Sequence, residues 1–457
     1  MTSWTAAALA EWSLELDIGD LPDAVVSKAE DCLIDALGCA LTGRDAKGTA
    51  RVGAVASAQY RDGPSDVWFS ADRLHPTGAA FVNATATSIL DLDDGHRGPL
   101  GHPGAAVIPS ALAVAQETNA GGPELLATIV ASYEVCTRVG ASERRRSYHT
   151  GNWSSFGAAT AAARLRGLSA EQLTHALAIS AYHGPRIADL TLSSDMGANV
   201  KESIPWSVVT GLNAADLAAQ GFTGCRDALD IDERFEPGRA TAGLGGGFQI
   251  MNTYFKRYSA CRWIHAAVEA LLQMMAEQGL AAGDVDSVQV ETFLQAASLD
   301  NLADPPSPES AQYSIPYCLG IAATKGDGAL MPLAAADLHD PAAVAFANKV
   351  TVICDDALAA DFPATVPARV TVGTKTGTFE AQVDLPWGEP GGPQRRADLV
   401  AKFHALAARR ISGDRASAIV AAVENLKNGP LDPLLDLLSH PTGSDVVELE
   451  ESRQSVG

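Results

Sequence analysis

Most of the first 262 residues carry apolar side chains at helical spacing. In the segment 21–43, Pro22 suits a first helical turn, Gly43 suits an end, and apolar residues recur every three or four positions. The same pattern predicts further helices at residues 49–59, 78–92, 107–117, 122–140, 152–165, 170–182 and 204–220. Residues 227–247 contain several glycines and read as irregular. The first part of the chain is therefore predicted to be a helical body.

The pattern changes after residue 262. Residues 285–293 alternate apolar and polar side chains, as a half-buried strand does. Strands are also predicted at 349–354, 368–372 and 378–385, with helices at 263–278, 312–325 and 341–348. After a Gly/Pro connector at 387–394, helices return at 396–410 and 416–428, before a polar tail at 441–457. We therefore predict a mainly α fold with an α+β insert: a helical domain from residues 1–262 and 395–457, and an α+β domain from residues 263–394.

Charge and cysteine content narrow the class of protein. Lys and Arg total 33 and Asp and Glu total 55, so the net charge is −22. That excess argues against binding to nucleic acid or anionic membranes, because phosphate would be repelled. The seven cysteines are scattered and form no CxxC pair, which predicts buried thiols in a reducing, cytoplasmic compartment. No run reaches the roughly 18 apolar residues of a membrane span, and residues 1–16 lack the basic start of a leader.

The densest chemistry lies in residues 91–104, DLDDGHRGPLGHPG, between two predicted helices. Carboxylates beside imidazoles suit general acid/base catalysis, because a nearby carboxylate raises the pKa of a histidine and orients its ring. A solvated, turn-rich connector would have a similar composition. A third interpretation is a metal site built from His96, His102 and the aspartates. The spacing of the two histidines is not the HxxxH pattern of zinc sites.

Four other segments carry cations or tyrosines that such a loop could use. Arginine and lysine suit anionic ligands, and a helix N-terminus also favours an anion. Each segment has a plainer interpretation as a solvated basic face or as core. The segments are ERRRSYHTGN at 143–152, with Arg144 to Arg146 and His149; MGANVKESIPW at 196–206, with Lys201; YFKRYSACRWIH at 254–265, with Lys256, Arg257, Arg262 and His265; and YSIPYC at 313–318, with Tyr313 and Tyr317.

Common catalytic and cofactor signatures are absent from the sequence. It contains neither a GxSxG nucleophile elbow nor a GxxxxGK[ST] phosphate loop. The run GLGGGF at 243–248 lacks the last glycine of a dinucleotide fingerprint and does not follow a predicted strand. No cysteine set suits an Fe–S cluster. The residues alone therefore favour a cofactor-independent acid/base enzyme.

Several long motifs, in the right order, resemble the MmgE/PrpD family, the 2-methylcitrate dehydratase and cis-aconitate decarboxylase group. The likeness covers nearly the whole chain. It implies an all-helical domain made from both chain ends, an inserted α/β lid domain, a homodimer, and no metal or organic cofactor. The motifs are CLIDALGCALTG at 32–43, DLDDGHRGPLGHPGAAVIPSALAVA at 91–115, ELLATIVASYEVCTRVG at 124–140, VKESIPWSVVTGLNAADLAAQGFTG at 200–224, FKRYSACRWIH at 255–265 and AQYSIPYCLG at 311–320.

The resemblance also implies a site in the cleft between helical domain and lid. His102, in the HPxG segment, matches the main proton-transferring residue, and Tyr317 matches a lid tyrosine that closes over the substrate. The implied catalytic residues are Asp91, His102, His149, Lys201 and Tyr317, and the implied substrate-binding residues are Lys256, Asp94, His96 and Arg262.

The chain departs from the family pattern at two positions. Gly95 stands where relatives often have a hydroxyl side chain, and Cys261 stands where the decarboxylase branch has a histidine. The second departure disfavours decarboxylation of cis-aconitate.

We expect a carbon–oxygen lyase, a dehydratase or hydratase similar to 2-methylcitrate dehydratase, that acts on a small di- or tricarboxylic acid. Lysines and arginines would neutralise the carboxylates, and a histidine would move the α-proton. The alternatives are an epimerase, isomerase or decarboxylase of a similar acid, a non-catalytic carboxylate-binding homologue, and a metal-dependent hydrolase. Neither nucleic acid nor a membrane is an expected partner.

Overall fold

The computed structural model describes residues 4–145, 148–185, 193–236, 238–360, 362–392, 395–408 and 410–443. The α-helices in these ranges are α1 (Thr5–Glu15), α2 (Asp23–Gly43), α3 (Lys47–Gln59), α4 (Pro76–Ser88), α5 (Gly104–Thr118), α6 (Gly122–Ser142), α7 (Thr150–Leu165), α8 (Ala170–His183), α9 (Ile204–Ala219), α10 (Arg262–Gln278), α11 (Leu294–Ala297), α12 (Pro308–Ala311), α13 (Ile315–Lys325), α14 (Pro341–Ala347), α15 (Asp356–Ala359), α16 (Arg396–Ala407), α17 (Gly413–Glu424) and α18 (Asp432–Ser439).

The strands of the described ranges are short. They are β1 (Ser65–Asp66), β2 (Arg73–Leu74), β3 (Gly95–His96), β4 (Thr253–Tyr254), β5 (Val285–Thr292), β6 (Val350–Cys354), β7 (Ala368–Thr374) and β8 (Gly377–Val383). Among these same residues, no helix is both long enough and apolar enough to cross a membrane.

The first hydrophobic core belongs to the helical body. Helix α7 packs against α6 and α9, and its run of alanines is fully buried there. Small side chains let helix axes approach closely, which suits the Ala-rich composition. Helix α16, from the far end of the chain, packs on α2, and Phe403 and Leu399 enter the same core. The C-terminal helices therefore return to the body.

The second core belongs to the sheet and its helices. The strand order is β6-β5-β7-β8, with β5 parallel to β6 and the other pairs antiparallel. Alternate valines of β5 and β7 are buried, and α10 packs on β7, β8 and α13. This alternation is the period-two signal of a half-buried strand.

The mainly α fold with a small sheet is confirmed, and the differences lie at element ends and in elements that were not predicted. Helix α4 was predicted to run to residue 92 but ends at Ser88, because Asp91 has a left-handed backbone (φ 53°) and breaks the helical path. The helices α1 and α18 were not predicted. The proposed domain boundaries stay a prediction.

Candidate active site

The loop after α4 is held by side chains from distant parts of the chain. The carbonyl of Ile89 accepts from Gln312, that of Leu90 from Ser259, and that of Leu92 from Lys402. Gln312 and Ser259 belong to the second half of the chain, whereas Lys402 lies on α16. These bonds satisfy buried backbone oxygens that the helix no longer uses. They also fix the direction in which the following aspartates point.

A short antiparallel ladder brings the first cation to this loop. Gly95 pairs with Tyr254 and His96 with Thr253, so residues after Tyr254 run back along residues before Gly95. Lys256 thereby reaches Asp91, with Nζ 2.7 Å from Oδ1 and 3.0 Å from the carbonyl oxygen. Gly95 is required here, because a Cβ atom would lie 2.2 Å from the Tyr254 ring. The glycine that departs from the family pattern is therefore explained by the tyrosine beside it.

Asp91 joins two buried ammonium groups. Lys201 Nζ lies 2.6 Å from the same Oδ1 that Lys256 contacts, and all three side chains are at most 5% exposed. Burial opposes the charged carboxylate, but the two ammonium groups more than offset it and hold the pKa of Asp91 well below its usual range. The same carboxylate raises the pKa of Lys201 against burial. One carboxylate thus forms ion pairs with two buried ammonium groups.

His102 lies beside this group with its two ring nitrogens in different surroundings. Nδ1 donates to the Asp94 carbonyl at 2.8 Å and lies 3.4 Å from Asp93 Oδ2. Nε2 lies 3.7 Å from Asp91 Oδ1 and 3.7 Å from Glu202 Oε1, too far for hydrogen bonds. The hydrogen bond at Nδ1 sets the tautomer, so a neutral ring presents an unprotonated Nε2 to the cluster.

The pKa of His102 lies above its ordinary value. Burial and the Lys256 ammonium both disfavour the imidazolium, but the carboxylates of Asp93 and Glu202 outweigh them. These carboxylates therefore favour the protonated ring, and because Nδ1 is bound to a carbonyl, a proton would be delivered through Nε2.

His96, six positions earlier, has no comparable charged neighbours. Its Nε2 donates to the Gln249 carbonyl at 3.0 Å, and its Nδ1 accepts from the Gly98 amide at 3.0 Å. Burial lowers the pKa of His96 to about 4. Both nitrogens are committed to backbone groups, so this imidazole fixes the loop and is placed away from the lysines.

The side chain of Asp94 also holds the loop in place. Its Oδ1 accepts from the Gly104 amide at 2.9 Å, at the start of α5, and its Oδ2 accepts from the Tyr133 hydroxyl at 2.7 Å. Burial raises the pKa of Asp94 to about 7. Both carboxylate oxygens are thus engaged within the protein, while the carbonyl of the same residue orients His102.

The tyrosine beside the lysines is Tyr313. Lys201 Nζ lies 3.3 Å from its hydroxyl oxygen, and the ring is 4% exposed. Tyr317, which the resemblance indicated, donates its hydroxyl to the Asp337 carbonyl at 2.5 Å. Burial raises the pKa of both tyrosines, so Tyr313 offers a neutral phenol to the site.

Comparison with known proteins shows the family to which the chain belongs. The MmgE/PrpD N-terminal domain matches residues 7–238, and the MmgE/PrpD C-terminal domain matches residues 258–428. The chain belongs to the MmgE/PrpD family. Among its relatives, the cis-aconitate decarboxylase of Homo sapiens is 26% identical over 94% of both chains. The cis-aconitate decarboxylase of Aspergillus terreus strain NIH 2624 is 23% identical over 97% of this chain and 98% of its own. The 2-methylcitrate dehydratase of Cupriavidus necator is 24% identical over 90% of this chain and 92% of its own.

Two other residues that the MmgE/PrpD resemblance indicated lie at the margin of the cluster. Arg262 is fully buried, and its guanidinium is engaged by Glu389 and by the carbonyls of Phe255 and Pro386. It thereby holds the backbone just before Lys256. His149 precedes the first turn of α7 and is partly exposed, and its neighbour Thr150 joins the His102 network.

The arginine run at 144–146 is only partly described. Arg144 donates to the Asp232 carbonyl, on the helical body. Arg146 lies outside the described residues.

Three side chains of the cluster are of the types that bind metal ions. Atoms of Asp91, Asp93 and His102 lie within 4.8 Å of one another. However, Asp91 Oδ1 already accepts from two ammonium groups, and Nδ1 of His102 donates to a carbonyl. A divalent cation would have to displace or repel both lysines, so these residues do not fit a metal centre. His96, the other histidine of that interpretation, points to Gln249.

Two contributors are absent from the candidates that the sequence offered. Glu202 stands in a segment singled out for Lys201, and Lys402 stands in a helix assigned only to packing. Tyr313 was named together with Tyr317, but the role in the site was given to Tyr317. Lys402 is buried and forms an ion pair with Asp35 at 2.6 Å. A lysine on the apolar face of α16 was the available signal, because a buried lysine requires a partner.

Proposed function

We propose that this protein is a cofactor-independent lyase of the MmgE/PrpD type, a dehydratase or hydratase of a small di- or tricarboxylic acid. The observation that carries the proposal is the placement of His102 Nε2 3.7 Å from Asp91 Oδ1, the oxygen that two buried ammonium groups contact. A proton carrier next to paired cations is the arrangement needed to remove or deliver a proton beside a carboxylate. The names of the relatives support the same class of substrate.

The two lysines retain capacity for a ligand despite their contact with Asp91. An ammonium group has three N–H donors. Lys256 directs donors to the carbonyl and Oδ1 of Asp91, and Lys201 directs donors to Asp91 Oδ1 and the Tyr313 hydroxyl. Among the described contacts, this leaves one donor on each lysine for a substrate carboxylate. Charge-assisted hydrogen bonds of this kind are the strong ones.

In the dehydration direction, neutral His102 takes the proton from the carbon next to a bound carboxylate. The electron pair of the broken C–H bond passes through an enolate-like species, whose charge the ammonium groups stabilise. It then forms the C=C bond as the C–O bond at the β-carbon breaks. The leaving hydroxide takes a proton from a neighbouring acid, for which we propose the Tyr313 phenol, and departs as water. The hydration direction reverses these steps, with the imidazolium as proton donor.

Decarboxylation is the second candidate, because several relatives are named cis-aconitate decarboxylases. Loss of CO₂ would generate the same kind of carbanion, and His102 would then protonate it. Cys261, at the position where the decarboxylase branch has a histidine, is buried with its pKa raised to about 12, so its thiol stays protonated at neutral pH. It does not replace a second imidazole, which favours dehydration.

The test is a substrate panel that contains 2-methylcitrate, cis-aconitate and small hydroxy di- and tricarboxylic acids. We expect loss or addition of water, followed as a change in C=C absorbance, and loss of that signal in His102→Asn. Release of CO₂ from cis-aconitate without hydration would establish the decarboxylase instead. Solvent deuterium incorporation without either reaction would establish an epimerase. Thermal stabilisation by the acids with no turnover would identify a non-catalytic binding protein.

Independence from metals and the homodimer form part of this proposal. Turnover should be unchanged after incubation with a chelator, and the mass in solution should be that of two chains. Loss of turnover that added metal restores would contradict the first expectation.

A further inference from the structure

The segment that carries Lys201 has an unusual backbone. Lys201, Glu202 and Ser203 have φ angles of 40°, 52° and 55°, all in the left-handed region that side chains other than glycine disfavour. Each such residue costs free energy and persists only where its surroundings hold it. Gly151 provides the room, because a Cβ atom there would lie 2.6 Å from the Glu202 carbonyl oxygen. The turn places two consecutive charged side chains in the buried cluster.

Glu202 is held firmly and close to His102. Its Oε2 accepts from the Thr150 amide at 3.1 Å and from the Thr150 hydroxyl at 2.6 Å. The same hydroxyl accepts from the His102 amide at 3.0 Å. Its other oxygen, Oε1, lies 3.7 Å from His102 Nε2. One threonine therefore links the Glu202 carboxylate to the backbone of His102, the residue that carries the imidazole.

We propose that Glu202 is a positioning residue that keeps the His102 imidazolium charged and aimed into the site through Thr150. This inference rests on the proposed function, in which His102 transfers the proton. Glu202 would act through the imidazole and need not touch the substrate. Its presence would favour the proton-delivering form of His102, and removal of its charge would favour the proton-accepting form.

The charges around His102 show why Glu202 matters. The groups that face the ring are the carboxylates of Asp91 and Asp93 on its own loop, the carboxylate of Glu202 and the ammonium of Lys201 before α9, and the ammonium of Lys256 after β4. Asp91 is matched by two ammonium groups, so that trio has an excess positive charge. Among the described residues, Asp93 and Glu202 are the carboxylates that remain to stabilise an imidazolium.

These two carboxylates are not equivalent. Asp93 lies on the Nδ1 side, where the ring already donates to the Asp94 carbonyl. Glu202 lies on the Nε2 side, which faces the lysines. The raised pKa of His102 agrees with a contribution from both carboxylates. Glu202 alone combines the reactive side of the ring with a hydrogen-bonded link to the His102 backbone.

Glu202→Gln is the first variant, because its amide oxygen can keep the two bonds from Thr150 while its charge is lost. The pKa of His102 is measured by NMR titration of histidine-labelled protein, with the His102→Asn variant to assign its signal. Removing one close negative charge should lower that pKa by about 1. Glu277→Gln, an exposed change of the same net charge, should leave it unchanged. An unchanged pKa in folded Glu202→Gln would overturn the proposal.

Glu202→Asp is the second variant, because it keeps the charge but withdraws it from the ring. It should give a smaller fall in the pKa of His102, and it keeps the test decisive if Glu202→Gln does not fold. A fall in neither variant would contradict a role for Glu202. Rates in the α-proton-removing direction provide the kinetic counterpart: the acid limb of kcat should move to lower pH in Glu202→Gln, with KM changed little.

The titration separates this inference from the proposed function. It requires no substrate, so a lowered pKa in a protein that turns over none of the acids would reject the function and retain the link between Glu202 and His102. Turnover that depends on His102, with a pKa that Glu202 does not affect, would reject only the link.

Discussion

The two imidazoles of the loop between α4 and α5 are both buried, yet their pKa values are shifted in opposite directions. His96 contacts two backbone groups, and burial lowers its pKa to about 4. His102 is equally buried, but two carboxylates outweigh burial and raise its pKa. Burial by itself disfavours the charged form of a histidine. The difference lies in the neighbours, and it separates a residue that fixes the loop from one that is able to move a proton.

The two tyrosines on and beside α13 repeat this contrast. Tyr317 donates to a backbone carbonyl, whereas Tyr313 lies against the Lys201 ammonium. In each pair, the residue that contacts charged side chains belongs to the candidate site. The residue that contacts backbone groups supports the fold.

The largest expected effect comes from His102→Asn, which removes the proposed proton carrier. We expect kcat to fall roughly 10²–10⁴-fold, the usual contribution of a general acid/base. Steady-state kinetics on the best acid of the panel measures the fall, with circular dichroism as the control for folding. In His96→Gln, the fold-reduction in kcat should be less than a tenth of that in His102→Asn. Equal losses in the two variants would remove the distinction between the histidines.

Lys402→Met tests the buried ion pair that holds the backbone of the loop that carries both histidines. Its loss would leave Asp35 buried without its partner and release the Leu92 carbonyl. We expect the free energy of unfolding to fall by about 3–5 kcal/mol, as for other broken buried pairs. Urea denaturation measures the change. The double variant Lys402→Met/Asp35→Asn should recover part of it, and a single variant as stable as the wild type would show that the pair is dispensable.

His96→Gln tests the low proton affinity of the first imidazole. In the unfolded chain this group binds a proton near pH 6.5, but in the folded protein it does so only near pH 4. Its contribution to stability is therefore present above pH 6.5 and is lost as the pH falls towards 4, by about 3 kcal/mol. Denaturation at several pH values should show a steeper acid loss in the wild type than in His96→Gln. If the stability of the two proteins fell equally with pH, the result would contradict a neutral His96 bound to backbone groups.

The smallest expected effect is that of Tyr317→Phe. This change removes one hydroxyl that donates to the Asp337 carbonyl and should cost about 1 kcal/mol of unfolding free energy. Turnover should change little, whereas Tyr313→Phe should lower kcat without a large change in stability. Thermal denaturation and kinetics on both variants measure this. If Tyr317→Phe were the slower enzyme, the assignment of the site tyrosine to Tyr313 would be wrong.

Much of the fold could be predicted from the sequence because each helix carries its own periodic signal. The helices from α2 to α9 fall where the apolar spacing placed them, and β7 and β8 form the expected hairpin. One error, the end of α4, lies where distant side chains intervene. Helix α4 stops early where Ser259, Gln312 and Lys402 bind the carbonyls that follow it. No local pattern reports such contacts.

The sequence by itself determined that ionisable groups concentrate in residues 91–104, and the resemblance to a family added the prediction that lysines from other segments join them. Only the tertiary structure decided which groups within those segments meet. His96 binds a carbonyl 153 positions away, and Lys256 reaches Asp91 through a ladder formed across 165 positions. Lys201 and Glu202 enter the cluster through a left-handed turn. Composition specifies the available groups, but pKa values and side-chain directions depend on neighbours that only folding supplies.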